Sequence, residues 1–253
     1  TTQQRYLGRE LELRASGTLT TGSESYPIYF QNGTLKVASG ATLTASGPTW
    51  FGYTGYSGSV VVDGTLVKTG SGDLTFAYPT VLSNSGTVDV QSGSLICQYG
   101  ATHTGTLSLA SGAAYKAQGG TQTFEAGSTV TGSGTLSIEG ASTTFAGAMS
   151  VSGPVQLTSG TLTAEGPTTL TSLSMTANSP TLSGTGTVTV SNAFTWTSGS
   201  MSGSGKTVVL PTATVNLSGT TQQRYLGREL ELRASGTLTT ASESYPIYFQ
   251  NGT

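Results

Sequence analysis

Apolar and polar residues alternate in many short runs along this chain. Short stretches rich in Val, Leu and Thr are separated by Gly, Asn, Asp or Ser. Period-two alternation with β-branched residues is typical of β-strands, and it argues against a disordered Ser- and Thr-rich tract. The clearest runs are residues 60–62, 66–67, 87–90, 107–109, 136–138 and 188–190. The pattern therefore predicts an all-β protein built of short strands.

A Gly-Thr pair followed by Leu or Val recurs along the chain. The glycines of these pairs are Gly17, Gly33, Gly64, Gly86, Gly105, Gly134, Gly160, Gly186 and Gly236. Most steps between them are about 20–30 residues, which is typical of one coil of a β-solenoid, in which Gly turns a corner and the next coil stacks on top. We therefore predict a parallel β-helix with three short strands per coil. About ten coils, stacked about 4.8 Å apart, would span roughly 50 Å.

A β-sandwich or up-and-down barrel is the alternative fold, because it also consists of many short strands. Such folds favour even hairpin spacing and two-residue turns of the Asn-Gly or Asp-Gly kind. Only Asn32-Gly33, Asp63-Gly64 and Asn251-Gly252 have that form. The solenoid is the favoured prediction.

The chain contains one long duplication. Residues 220–253 repeat residues 1–34 at an offset of 219, and 33 of the 34 positions are identical, the exception being Gly22, which becomes Ala241. A long period of this kind indicates a tandem array built on a shorter inner repeat. We therefore interpret residues 1–219 as one β-solenoid unit and residues 220–253 as the start of the next.

The duplicated stretch holds an unusual share of the charged residues. Leu11 and Leu13 alternate with Glu12 and Arg14, which predicts a strand with an ionic outer face. Farther on, Tyr26, Ile28 and Phe30 predict a second strand with one bulky apolar face. Surface pairing of the charges is one role for this stretch, and a unit junction or lateral contact is the other. The residues in question are Arg5, Arg9, Glu10, Glu12 and Arg14.

Residues 47–58 are rich in aromatic side chains. Trp50, Phe51, Tyr53 and Tyr56 lie among Gly and Ser. An aromatic loop can stack on sugar rings or on a neighbouring filament, so these four residues are a candidate glycan or partner contact. The alternative is a long corner whose rings cover the end of a strand stack.

Composition narrows the function further. Charged residues make up 9% of the chain, the net charge is −2 and the pI is near 5.3. No basic stripe suited to nucleic acid is present, no apolar run is long enough to span a membrane, and residues 1–17 lack the apolar core of a signal peptide. We expect neither a nucleic-acid partner nor a membrane span in this segment.

Residues that support catalysis are sparse. The only aspartates are Asp63, Asp73 and Asp89, and coil spacing could bring Asp63 near Asp89, but two corner carboxylates make a weak acid–base pair. His103 and Cys97 are single, which leaves a zinc or redox site without ligands. We predict no catalytic residue, metal or cofactor, and a buried Cys97 that shares a strand face with Leu95 and Tyr99.

Thr-x-Thr motifs raise ice binding as a further alternative, but they are irregularly spaced.

One segment carries a family resemblance. Residues 194–205, Phe-Thr-Trp-Thr-Ser-Gly-Ser-Met-Ser-Gly-Ser-Gly, resemble a phrase common in large secreted bacterial proteins of the adhesin and autotransporter-passenger type. The passage from residue 217 to residue 230 is similar to the next coils of the same pattern. The resemblance implies secretion or surface display, a right-handed β-helix and a mechanical or adhesive role, and it transfers no catalytic residue.

We therefore expect a structural repeat unit of a long extracellular fibre or cell-surface filament, with neighbouring copies of the repeat as partners. An adhesin or glycan-binding stalk is the first alternative, and a polysaccharide lyase or hydrolase is the second.

Overall fold

The computed structural model describes residues 5–19, 28–52, 55–218, 222–233 and 246–250. These residues contain strands and turns but no helix, and none of them forms a helix that could cross a membrane. The strands of the first half are β1 (Arg5–Leu7), β2 (Glu10–Leu13), β3 (Gly17–Leu19), β4 (Ile28–Phe30), β5 (Gly33–Val37), β6 (Thr42–Ala45), β7 (Thr49–Phe51), β8 (Gly58–Val62), β9 (Thr65–Lys68), β10 (Leu74–Phe76), β11 (Thr80–Asn84), β12 (Thr87–Val90), β13 (Ser94–Cys97), β14 (Gly100–His103), β15 (Thr106–Leu109), β16 (Ala114–Ala117), β17 (Thr121–Phe124) and β18 (Thr129–Thr131). Those of the second half are β19 (Thr135–Phe145), β20 (Met149–Ala164), β21 (Thr168–Met175), β22 (Thr181–Ser183), β23 (Val188–Trp196), β24 (Gly199–Met201), β25 (Lys206–Val209), β26 (Thr214–Asn216), β27 (Arg224–Leu226), β28 (Glu229–Leu232) and β29 (Ile247–Phe249).

The strands form a parallel β-solenoid with three strands per coil. From β1 to β16 each strand pairs in parallel with the third strand after it, as β1 does with β4 and β2 with β5. Long strands such as β19 and β20 turn a corner and continue on the next face. The predicted parallel β-helix is confirmed, and the sandwich alternative is wrong because every described pairing is parallel.

Three faces result from this pairing. Face 1 consists of β1, β4, β7, β10, β13, β16, residues 135–138, 155–157, 172–175 and 193–196, and β26. Face 2 consists of β2, β5, β8, β11, β14, β17, residues 142–145 and 161–164, β22, β24, β27 and β29. Face 3 consists of β3, β6, β9, β12, β15, β18, residues 149–151, 168–170 and 188–190, β25 and β28.

The core lies along the axis of the solenoid, where residues in register stack in columns. One column on face 1 consists of Leu74, Leu95, Tyr115, Leu136, Val155, Leu173, Phe194 and Val215. All of them are buried, because alternate residues of each strand point inward. Consecutive members lie about 20 residues apart, at the short end of the range for solenoid repeats. A coil is therefore shorter than many of the steps between Gly-Thr motifs.

The Gly-Thr motif occurs at different corners in different coils, so many steps between motifs are longer than one coil. Gly86 and Gly105 precede strands of face 3, whereas Gly134 precedes face 1. The backbone requires glycine at such corners: a Cβ on Gly86 would lie 2.1 Å from the carbonyl oxygen of Gly64 in the coil below. The motif therefore marks corners of the solenoid but does not count its coils.

The predictions for Cys97 and its neighbours have mixed outcomes. Cys97 and Leu95 are buried in β13, as predicted. The prediction for Tyr99 is wrong, because β13 ends at Cys97 and Tyr99 is exposed at the following corner. There its ring meets Tyr78 edge to face, with centroids 5.0 Å apart.

Candidate repeat junction and surface aromatic ladder

The second copy of the duplicated stretch continues the solenoid without a break in the sheet. β27 stacks on β24, where Ser200 pairs with Tyr225, and β28 stacks on β25, where Val208 pairs with Glu231. The internal pairing of the two copies is the same: β1 lies beside β4 and β27 beside β29, with corresponding residues in register. We call the contact of β27 and β28 with β24 and β25 the repeat junction.

Two arginines of the second copy are buried in the repeat junction. Arg224 is fully buried: its Nη1 donates to the carbonyl oxygen of Leu217, and its guanidinium carbon lies 6.0 Å from the ring centre of Trp196. Arg228 is 3% exposed, and its Nη2 donates to the carbonyl oxygens of Gly186 at 2.9 Å and Lys206 at 3.0 Å. Arg228 thus binds the two coils below the second copy, whereas Arg224 contacts Trp196 in the coil below and bonds to Leu217, which precedes β27 in the same coil.

Burial disfavours the protonated form of both arginines. It lowers the pKa of Arg228 to about 10 and also lowers the pKa of Arg224. Arg228 therefore remains cationic at neutral pH. A buried cation is costly unless it is hydrogen-bonded, so the carbonyl oxygens that receive Arg224 and Arg228 are an essential part of the junction.

The corresponding arginines of the first copy have a different environment. Arg5 and Arg9, which match Arg224 and Arg228 in the repeat, are exposed in the first described turn of the solenoid. Identical local sequences therefore have different burial, and the presence of a coil beneath them makes the difference.

The acidic residues of both copies form a charged ladder on the outer face. Lys36 Nζ lies 3.5 Å from Glu12 and 3.6 Å from Asp63, and Arg14 Nε lies 2.5 Å from Glu12. The hydrogen bond from Arg14, with the charge of Lys36, holds the pKa of Glu12 below its usual value. These groups lie on the surface and are at least partly exposed to solvent, so the pairs contribute little to stability.

The second copy carries the matching ladder against the coil below it. Lys206 Nζ lies 3.1 Å from Glu231 and 3.8 Å from Glu229, which corresponds to Glu10. Arg233, the counterpart of Arg14, binds Glu231 at 2.5 Å. Its hydrogen bond, with that of Lys206, lowers the pKa of Glu231 to about 2. Each copy thus places its central glutamate beside a lysine of the adjacent coil.

The aromatic segment separates into a buried ring and a surface ring. Trp50 and Phe51 belong to β7 rather than to a loop, and alternation turns them to opposite sides. Phe51 is buried and lies between Phe30 and Phe76, with ring centres 5.8 Å and 5.6 Å apart, so a partner cannot reach it. Tyr56 is exposed, and Tyr53 lies outside the described residues.

Trp50 belongs to an outward ladder that sequence reasoning missed. Its ring meets Tyr29 edge to face at 6.2 Å, and Tyr29 stacks on Tyr6 at 5.3 Å. The three residues lie on successive strands of face 1, β1, β4 and β7. We call them the aromatic ladder. The central position of Tyr29 between Ile28 and Phe30 was the signal that could have revealed it.

A buried polar network around His103 was also missed. Asn84 Nδ2 donates to His103 Nδ1 at 3.3 Å, and His103 Nε2 lies 3.1 Å from the hydroxyl of Tyr115. That hydroxyl donates to Gln122 at 2.7 Å, so the hydrogen bonds fit a neutral imidazole protonated at Nε2. The ring stacks on Phe124 at 4.6 Å, and burial lowers the pKa of His103 to about 3. The network is buried in the core, where it links three successive coils, those of β11, β14 and β17.

The two candidate carboxylates, Asp63 and Asp89, have separate hydrogen-bond partners. Asp63, at the corner after β8, accepts a hydrogen bond from Ser85 Oγ at 2.7 Å. Asp89, within β12, accepts one from Gln91 at 2.8 Å. In the described part of the chain no group of three or more His, Cys, Asp or Glu side chains could hold a metal ion. Burial raises the pKa of the Cys97 thiol to about 12, which suppresses its nucleophilic form.

Comparison of the chain with protein-family models, with curated proteins and with solved structures gave no match. The fold and the repeat junction by themselves define the class: a β-solenoid that contains a tandem sequence repeat.

Proposed function

We propose that this chain is a structural tandem-repeat unit of a long extracellular fibre or cell-surface filament, whose partners are neighbouring copies of the repeat. One observation carries the proposal: the second copy stacks in register on the coils of the first unit, with β27 on β24 and β28 on β25. An interface built of sheet hydrogen bonds and buried arginines is a continuous structural joint and not a flexible linker.

Stiffness and protease resistance follow from the same arrangement. Each coil is bonded to its neighbours on three faces, and most core residues are fully buried. In such a fold, stability is a sum of nearest-neighbour contacts, so added units lengthen the rod without enlarging its cross-section.

Electron microscopy of proteins with one, two and three complete units tests the proposal. The expected particles are rods whose length increases by roughly 50 Å per unit, the value for about ten stacked strands. Matched samples digested with a non-specific protease should retain full-length arrays. Globular particles, or beads joined by cleavable linkers, would overturn the proposal.

An adhesin or glycan-binding stalk is the second candidate, and the aromatic ladder favours it. Tyr6, Tyr29 and Trp50 form a row of outward rings on adjacent strands, which is suited to stacking on sugars. Replacing both Tyr29 and Trp50 by Ala should abolish binding to a glycan array and leave the fold intact. The matched control is Tyr78→Ala with Tyr99→Ala, which removes an exposed aromatic pair elsewhere. Equal binding by both variants would exclude the ladder.

A further inference from the structure

The two copies of the duplicated stretch lie on different faces of the solenoid. β1 is on face 1 and its duplicate β27 is on face 2. β2 is on face 2 and β28 on face 3, and β4 is on face 1 and β29 on face 2. Every described strand pair of the two copies is therefore displaced by one face in the same direction.

Counting strands along the faces gives the size of the displacement. Each coil contributes one strand to each face. Face 1 contains eleven stacked strands from β1 to β26, and face 2 contains eleven from β2 to β27. β1 is therefore the first strand of the first coil, and β27 is the second strand of the eleventh coil. The sequence repeat thus corresponds to ten full coils plus one strand of three, or ten and one third turns.

We propose that successive units join coaxially with a rotation of one face, so that each unit displays its aromatic and charged strands on the next face and the pattern returns after three units. This inference rests on the proposed fibre and names its partner surface: the end formed by β24 and β25 receives the β1 and β2 strands of the following unit. Three units make 31 turns, or roughly 150 Å at about 4.8 Å per turn.

The duplicated stretch tolerates this rotation because its internal contacts are independent of the face. Tyr6 stacks on Tyr29 at 5.3 Å and Tyr225 on Tyr248 at 5.3 Å, although one pair is on face 1 and the other on face 2. Arg228 and Arg9 show the same displacement, because Arg228 lies at the corner before face 3, whereas Arg9 precedes face 2. The lengths of the coils below the junction determine the face on which the second copy begins. The duplicated stretch then pairs internally in the same way as the first copy.

The rotation has a consequence for lateral contacts. If each unit carried its aromatic ladder on the same face, a fibre would have one adhesive side. Rotation by one face distributes the ladders over all three sides, each side bearing one ladder in every third unit. A fibre of this kind presents equivalent contact surfaces to neighbours in three directions.

Site-specific cross-linking of the full chain tests the rotation. Cys97→Ala provides the background, and Ser200→Cys with Tyr225→Cys forms the test pair, because these positions are register partners on adjacent strands of face 2. An unrotated second copy would instead take the place of β26 on face 1, with Tyr225 above Thr195. The competing pair is therefore Thr195→Cys with Tyr225→Cys. Ser174→Cys with Thr195→Cys, register partners within the unit, is the positive control.

The reagent is dibromobimane, a short bifunctional thiol reagent that becomes fluorescent when both ends react. We expect the Ser200 pair to react to the same extent as the control pair, and the Thr195–Tyr225 pair to remain at background. Preferential reaction of the Thr195–Tyr225 pair, equal reaction of both pairs, or failure of the Ser200 pair while the control pair reacts would overturn the rotation. Rods of the expected length together with any of these results would leave the fibre intact and reject only the rotation.

Discussion

Single residues control how closely the coils of this solenoid can stack. His103 is buried as a neutral ring between Asn84 and Tyr115, and a Cβ at Gly86 or Gly205 would collide with a carbonyl oxygen of the coil below. Arg228 adds a third kind of contact, because it binds two backbone carbonyls at a corner. Each of these residues couples one coil to the next, so each has a measurable effect on stability.

The buried imidazole makes stability depend on pH. Because burial lowers the pKa of His103 from about 6.5 to about 3, the unfolded chain binds a proton between those values and the folded chain does not. Stability is therefore complete above pH 6.5 and is lost as the pH falls below it. Between pH 6.5 and pH 5 the free energy of unfolding should decrease by up to about 1.4 kcal/mol per pH unit.

Denaturant titrations at several pH values check this dependence. His103→Gln, which cannot titrate, should be nearly flat over the same interval, because the lowered pKa values of Glu12 and Glu231 move their contributions below pH 5. Parallel pH profiles for the two proteins would contradict the assignment.

The corner at Gly205 should not accept a side chain. A Cβ there would lie 2.2 Å from the carbonyl oxygen of Gly186 and 2.7 Å from Arg228 Nη2. Gly205→Ala should lower the free energy of unfolding by about 1–3 kcal/mol, as overpacked sites do. Gly8→Ala is the control, because its Cβ would meet no atom closer than 3.7 Å. Thermal unfolding of both variants gives the comparison, and equal stability would be inconsistent with the close approach.

At the scale of elements, the repeat junction is an ordinary part of the sheet that contains unusual residues. β27 and β28 pair with β24 and β25 as other strands pair within the unit. Arg224 and Arg228, however, replace the small or apolar residues found at most inward and corner positions. The duplicated stretch is therefore adapted to lie on a preceding coil.

Arg228 and Arg9 provide a matched pair of sites for testing the junction. Arg228→Gln removes charged hydrogen bonds to Gly186 and Lys206, so it should destabilise the junction by about 1–3 kcal/mol. Arg9→Gln, made in the same local sequence but at an exposed position, should have an effect below about 0.5 kcal/mol. Hydrogen exchange of residues 222–233 measures the first effect. Comparable effects at the two sites would mean that burial is not the cause.

The strands themselves were largely predictable from sequence, but their partners were not. Alternation around Leu11 and Leu13 correctly predicted β2, and alternation around Ile28 and Phe30 correctly predicted β4, although Tyr26 lies outside the described residues. The grouping of Trp50 with its neighbours as one aromatic loop was wrong, because Gly and Ser around them indicated a turn. Residues 49–51 form strand β7 instead, because they pair with β10, and no local pattern reveals that partner.

On the scale of the whole molecule, stability is distributed along the axis. A coil contacts the coils directly above and below it. Consecutive residues of one register column are separated by one whole turn of the chain. The fold should therefore tolerate the loss of one complete turn far better than the loss of part of one.

Deletion of residues 156–173 tests this modularity. Val155 and Leu173 are register partners, so the deletion removes one complete turn and joins Val155 to Ser174. The variant should retain a β-sheet spectrum and cooperative unfolding. Deletion of residues 156–164 removes only half a turn and should shift inward residues out of the core, with loss of soluble folded protein. Similar circular dichroism and melting behaviour of the two deletions would contradict a solenoid built of equivalent turns.

The sequence by itself determined the type of fold and the existence of the repeat. Short alternating strands, corner glycines and a near-identical second copy can all be recognised in the sequence, because each depends only on the order of residues in the chain. The tertiary structure decided the face on which each strand lies and which side chains are buried. A face depends on the summed lengths of all preceding coils, and the burial of Arg224 and Arg228 depends on the coil beneath them. For this reason the same local sequence lies on different faces in its two copies, and its arginines are buried only where a coil lies beneath them.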